Sequence, residues 1–149
     1  MSSRARNAMR DLDMAKDLLS TKKRSLVIVK NREVLFETNT SGIRGLLMAV
    51  EKIGEDMEDS AVADKIVGEA AAQLCAFTHV LEVYAVRLSQ CAKDVLEKND
   101  IRYEFEDLVP HILNMSKTDL CPFEKIVAGS SNPKEALERL RKATGITSR

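Results

Sequence analysis

Apolar positions follow two rhythms along this chain. Between Arg4 and Ser20, residues Met9, Leu12, Ala15 and Leu19 fall at helical spacing and predict an amphipathic helix, closed by the basic run Lys22-Lys23-Arg24. The rhythm then shortens. Leu26 to Lys30 and Glu33 to Glu37 are brief β-branched runs separated by Asn31-Arg32, and an Asn that tolerates positive φ between two such runs predicts a β-hairpin.

Turn and capping residues from Thr38 to Gly42 precede a second helical stripe, Ile43, Leu46, Leu47, Val50 and Ile53, which Gly54 ends. Met57 to Asp59 read as an acidic surface loop. Residues 60–65 read as a short buried strand. The segment from Val67 to Phe77 is apolar on nearly all sides, as a helix packed against a sheet and other helices would be. A strand over Glu82–Leu88 follows, then a helix capped by Ser89 with Ala92, Val95 and Leu96 inward, ended at Asn99-Asp100. Ile101–Phe105 is a further strand, and Leu108 to Leu120 is irregular. Two short helices finish the chain, one entered through Cys121-Pro122, the other through Asn132-Pro133 with Glu135 completing a capping-box-like pattern.

Alternation of strands and helices after an initial hairpin predicts a three-layer α/β/α arrangement: a five-stranded mixed sheet with helices on both faces. The 149 residues are expected to form one domain, with an N-terminal helix and basic segment (1–24), a core (25–107) and a C-terminal helical extension (108–149).

Charge narrows the partners. The chain has 23 basic and 23 acidic residues, so no whole-molecule field draws it to nucleic acid or an acidic membrane. The basic excess of the first two dozen residues either touches phosphates, leaving nucleic acid open, or marks a solvated helix end. No apolar run approaches the ~20 residues of a membrane helix, and the first residues lack a signal peptide's apolar segment, so a cytoplasmic chain without membrane contact is expected. Cys75, Cys91 and Cys121 are odd in number and widely spaced, which favours reduced thiols, with Cys75 a small core residue.

The element order resembles the cytidine-deaminase-like fold. More narrowly, the hairpin Leu-Val-Ile-Val-Lys-Asn-Arg-Glu-Val-Leu-Phe-Glu, the Ser-Gly-Ile helix opening, the Val-Ala-Asp-Lys-Ile-Val-Gly turn and the late Leu-Cys-Pro-Phe-Glu-Lys segment look like an uncharacterised prokaryotic family of that fold, over residues 25–142. A deaminase of this fold carries His-or-Cys and then Glu at the start of the helix after the hairpin, and Pro-Cys-x-x-Cys at the next strand-to-helix turn, around a zinc ion that activates water. Here those places read Thr40-Ser41-Gly42-Ile43 and Ala63-Asp64-Lys65-Ile66-Val67-Gly68, with no thiolate, imidazole or proton-carrying glutamate. The resemblance therefore implies a deaminase scaffold without its metal, and no cofactor is expected.

Those turns retain usable chemistry. Helix N-termini at Ser41-Gly42 and near Gly68 would aim free backbone N–H groups at a shared cleft and favour a phosphate or carboxylate. Gly42 and Gly68 would let backbone approach a ligand. Lys65 would bind phosphate or act as a nucleophile, and Asp64 would orient Lys65 or accept ribose hydroxyls. The plain alternatives are that Asp64 and Ser41 cap helices, Lys65 is solvated and Gly68 allows close packing. Cys121, at an N-cap before Pro122, is a second candidate nucleophile or a plain core thiol, and His111 is the imidazole that could approach it. Thr118, Asp119 and Glu124 either cap that last-but-one helix or close the cleft. Two function classes follow: a metal-independent protein that binds or modifies a nucleotide or ADP-ribose-like ligand, and a non-catalytic homo-oligomeric interaction module. A zinc-dependent nucleotide deaminase is a distant third.

Overall fold

The computed structural model describes residues 9–147. In chain order its elements are α1 (Asp11–Thr21), β1 (Leu26–Lys30), β2 (Glu33–Thr38), α2 (Ile43–Ile53), a 3-10 turn (Gly54–Met57), β3 (Ala61–Val67), α3 (Glu69–Phe77), β4 (Glu82–Ser89), α4 (Gln90–Lys98), β5 (Arg102–Val109), α5 (Pro122–Val127) and α6 (Pro133–Thr144). The strands form one sheet in the order β2-β1-β3-β4-β5. β1 runs antiparallel to both β2 and β3, while β3, β4 and β5 are parallel, so the sheet is mixed.

The hairpin forms where the sequence places it. Asn31 and Arg32 both take positive φ, at 52° and 61°, the twist that a two-residue connection requires. The carboxylate of Asp11, at the start of α1, accepts hydrogen bonds from the backbone N–H groups of Asn31 and Arg32 at 2.9 and 2.8 Å. One helix thus holds the turn of the first two strands.

The sheet separates two cores. On one face α1 buries Leu12, Ala15 and Leu19 against Val27, Val29, Ala61, Ala63 and Tyr84. On the other, α2, α3, α4 and α6 bury a larger apolar set that includes Ile28, Leu47, Val62, Leu74, Leu88 and Leu137. α3 is the central helix of that layer: it touches α2, α4, α5 and α6, and its alanines at 70, 71, 72 and 76 are all buried. Small side chains let four neighbours approach one helix closely. Cys75 lies in this core.

Several boundaries differ from the sequence reading. Residues 4–8 of the expected first helix lie outside the described residues; α1 runs from Asp11, and Met9, half exposed, stands outside it. Met57 is fully buried in the 3-10 turn instead of lying in a surface loop, because an isolated apolar side chain among acidic neighbours still finds the core. β5 runs four residues past Phe105.

The largest correction concerns β3, which continues to Val67, so Asp64 and Lys65 lie inside a strand rather than at its turn. Val62 and Val67 belong to the same helix-side core although they are five positions apart, so the alternation of faces slips by one residue between them. Asp64 and Val67 are buried, while Lys65 and Ile66 between them are both exposed. β4 repeats the slip, with Val86 and Arg87 exposed between buried Ala85 and Leu88.

Candidate functional site

The two helix starts singled out by sequence are joined by α5. At α3, the carboxylate of Glu124 accepts hydrogen bonds from the backbone N–H of Glu69 at 2.8 Å and of Ala70 at 2.9 Å. These are two of the N–H groups that have no partner within the helix, and an anion beside them also meets the positive end of the helix dipole. At α2, Arg44 stands over the ring of Phe123, 5.6 Å from its centre. Consecutive side chains of α5 thus contact the first turns of α2 and α3.

Gly68 makes this possible. A Cβ at that position would lie 2.4 Å from Oε1 of Glu124, so only glycine leaves room for the carboxylate. The backbone does approach an anion closely here, as expected, but the anion is the protein's own. Gly42 has a different reason: it precedes α2 at φ 76° with open space around its missing side chain, so its requirement is conformational. Ser41 is exposed and gives α2 no side-chain cap. Glu69 lies near Glu124, and burial first, then the Glu124 charge, raises its carboxyl, against a hydrogen bond from Gln73.

Asp64 and Lys65 do not act together. Asp64 is 7% exposed and buried near Cys75 under the helices, whereas Lys65 is exposed. Burial pushes the Asp64 carboxyl up to about 7, against the pull of the Ile66 and Lys65 amides. Burial, then the Asp64 charge, raises the Cys75 thiol far above its ordinary range. Asp64 is placed neither to orient the Lys65 ammonium nor to present itself to solvent-borne ribose.

Cys121 occupies the N-cap position of α5 without a side-chain cap bond, and is half-buried. Its backbone N–H donates to the carbonyl of Ile112 at 2.9 Å, part of a short ladder that includes the Leu113–Leu120 bridge. Asp119 accepts from the Leu120 N–H at 2.7 Å and pairs with Lys125. Glu124 caps neither its own helix nor an open cleft; it caps α3.

The positions that hold zinc ligands in a deaminase do not fit that ion here. Neither turn offers a thiolate or imidazole, and among the described residues no group of three His, Cys, Asp or Glu side chains could hold a metal ion.

A family model described as "TM1506: Domain of unknown function (DUF1893)" matches residues 14–143, nearly the whole chain. The chain belongs to the DUF1893 family. A solved DUF1893 protein, TM1506 from Thermotoga maritima, is 25% identical, with a TM-score of 0.81 over 92% of each chain. A dCMP deaminase from the cyanophage S-TIM5, solved in apo form, is 19% identical with a TM-score of 0.47, over 70% of this chain and 99% of that one. No curated protein matches the chain. The DUF1893 family to which this chain belongs is described by no activity. No helix among the described residues is long and apolar enough to cross a membrane.

One feature of this DUF1893 chain was hidden from sequence: the partner of α3 lies 54–55 residues downstream. The available signals were the lack of a side-chain cap before Glu69 and an acidic residue just after Pro122-Phe123.

Proposed function

We propose that this DUF1893 chain is a metal-independent binding protein that uses a deaminase-type scaffold without deaminase chemistry. The observation that supports the reading is the Glu124 carboxylate on the Glu69 and Ala70 amides. A phosphate-bearing ligand of the nucleotide or ADP-ribose kind reaches those amides by displacing Glu124, since two anions cannot share one pair of donors. Gly68 lies against that site, Arg44 stands over the neighbouring Phe123, and in this reading Ser41 and Gly42, at the start of the same helix as Arg44, complete it. In this reading Lys65 and Cys121 are not catalytic: Lys65 is exposed while Asp64 is buried, and among the described residues no base is bonded to Cys121.

Calorimetric titration of the full chain with ADP-ribose tests the reading. Glu124→Gln removes the competing charge, so ADP-ribose binds this variant more tightly than the wild type. Equal affinity in both, or near-stoichiometric zinc in the purified protein, overturns it.

A second reading, a homo-oligomeric interaction module in the cytoplasm, draws on exposed apolar side chains at Ile66, Val86, Leu108, Leu113 and Met115. Light scattering tests it, with a monomer at all concentrations as the outcome that rejects it.

A further inference from the structure

The carboxyl ends of β3, β4 and β5 open into a cleft of about 650 Å³. Open α/β sheets bind ligands outside the carboxyl ends of their parallel strands, and pockets of this size suit organic molecules. One row of the sheet contributes to the lining: Ile66 pairs in register with Arg87, and Arg87 with Asp107. The face slip in β3 and β4 leaves Ile66 and Arg87 exposed at these positions.

The opposite wall is the segment after β5, and it is built in advance. Asn114 accepts from the Thr118 N–H at 3.0 Å through its side chain, and its own N–H donates to the Asp119 carbonyl at 2.9 Å. This closed loop brings His111, Leu113, Met115 and Lys117 to the cleft. Leu108 and Leu113 are exposed to 42% and 46%, and Met115 completely, so the cleft carries uncovered apolar surface.

Its charges are uncovered too. Among the described residues, Arg87, His111 and Lys117 make no side-chain hydrogen bond or ion pair. Arg87 and Asp107 are register neighbours, yet no ion pair joins them, so the guanidinium keeps its donors free. Two cations and an imidazole beside one carboxylate favour an anion, and a guanidinium fork suits phosphate or carboxylate.

We infer that this cleft binds an organic anion, whose phosphate or carboxylate rests against Arg87 and Lys117 and whose apolar body lies on Ile66, Leu108 and Leu113. The inference goes beyond the α3 turn and uses none of its residues. The ligand class is set by three properties together: unpaired cations, exposed aliphatic side chains and room for a molecule larger than a bare ion.

Anilinonaphthalene sulfonate, an aromatic anion, is the probe. The full-length wild-type chain binds it saturably at one site, and amide resonances of Ile66, Arg87 and Lys117 shift on binding. Phenyl phosphate or benzoate displaces it, and comparing the two separates phosphate from carboxylate recognition; phenol, with the same ring and no anion at neutral pH, does not. Arg87→Gln with Lys117→Gln weakens binding by about tenfold or more. Glu138→Gln, an exposed change on α6, leaves it unchanged, and because the readout is the Ile66, Arg87 and Lys117 resonances, failure here is distinguishable from failure at the α3 turn. Non-saturable binding, equal displacement by phenol, resonance shifts confined to other residues, or undiminished affinity in the double variant overturns the inference.

Discussion

The carboxylate of Glu124 occupies the volume that a side chain at position 68 would fill, with only 2.4 Å between Oε1 and an added Cβ. Gly68 and Glu124 are therefore one structural unit, although they are far apart in sequence.

Glu124→Ala leaves the Glu69 and Ala70 amides without their acceptor and is expected to cost about 1–2 kcal/mol. Gly68→Ala in the wild type forces the flexible Glu124 side chain off the same amides and costs a similar amount. In the Glu124→Ala background the sign changes: Gly68 has φ −102°, which alanine accepts, and loss of glycine's unfolded-state freedom makes Gly68→Ala neutral or stabilising by up to about 1 kcal/mol. Urea denaturation of the three variants checks this, and additive costs would separate the two residues.

Asp64 sets the pH dependence of stability. Its carboxyl titrates near 7 in the folded chain against an ordinary value of 3.8, so between those values the folded state holds the extra proton. Its stabilising contribution is complete below about pH 4 and is lost as pH rises through 7, on the order of 4 kcal/mol in all. Asp64→Asn, which keeps the shape and loses the charge, removes this slope and is more stable than wild type at pH 8. Denaturation midpoints at pH 5, 6.5 and 8 measure it; a wild-type slope retained in the variant would assign the titration elsewhere.

The cysteines differ in access. Cys91 is exposed at the start of α4, while Cys75 is buried with its thiol raised. Burial first, then Glu69, Glu124 and Asp94, also raises Cys91, so its alkylation is slow but complete. Iodoacetamide at pH 8 followed by peptide mass analysis labels Cys91 in the native chain and Cys75 only after denaturation.

Arg141 of α6 grips Glu51 of α2 through two hydrogen bonds, at 2.7 and 3.1 Å, and the Glu51 side chain is only 8% exposed. Arg141→Met leaves that carboxylate short of its main counter-charge and costs about 2–3 kcal/mol. Arg141→Met with Glu51→Gln costs less than the single change, by thermal denaturation.

Sequence legibility followed the range of the forces involved. The bounds of α2 agree with its apolar stripe and Gly54, the hairpin with Asn31-Arg32, and the α6 cap with Asn132, whose side chain accepts from the Glu135 N–H at 2.9 Å. Each of these is decided by residues within one or two turns of the chain. The Asp64-Lys65 pair reads as a strand end because charge is rare inside a strand, whereas burial beneath α3 tolerates a carboxyl that takes up a proton. The partner of α3 was illegible for another reason: no local pattern records that a glutamate dozens of residues away will fill the space beside a glycine. The candidate turn could be located, but not the fact that the chain fills it.

Asp11 closes its contact over a short stretch of chain. Its two hydrogen bonds to the hairpin turn span only 20 and 21 residues, so this part of the chain carries the means to close its own turn. The start of α3, by contrast, depends on a glutamate 54–55 residues further along the chain. The hairpin turn is thus held by a near neighbour in the chain, and the central helix by a distant one.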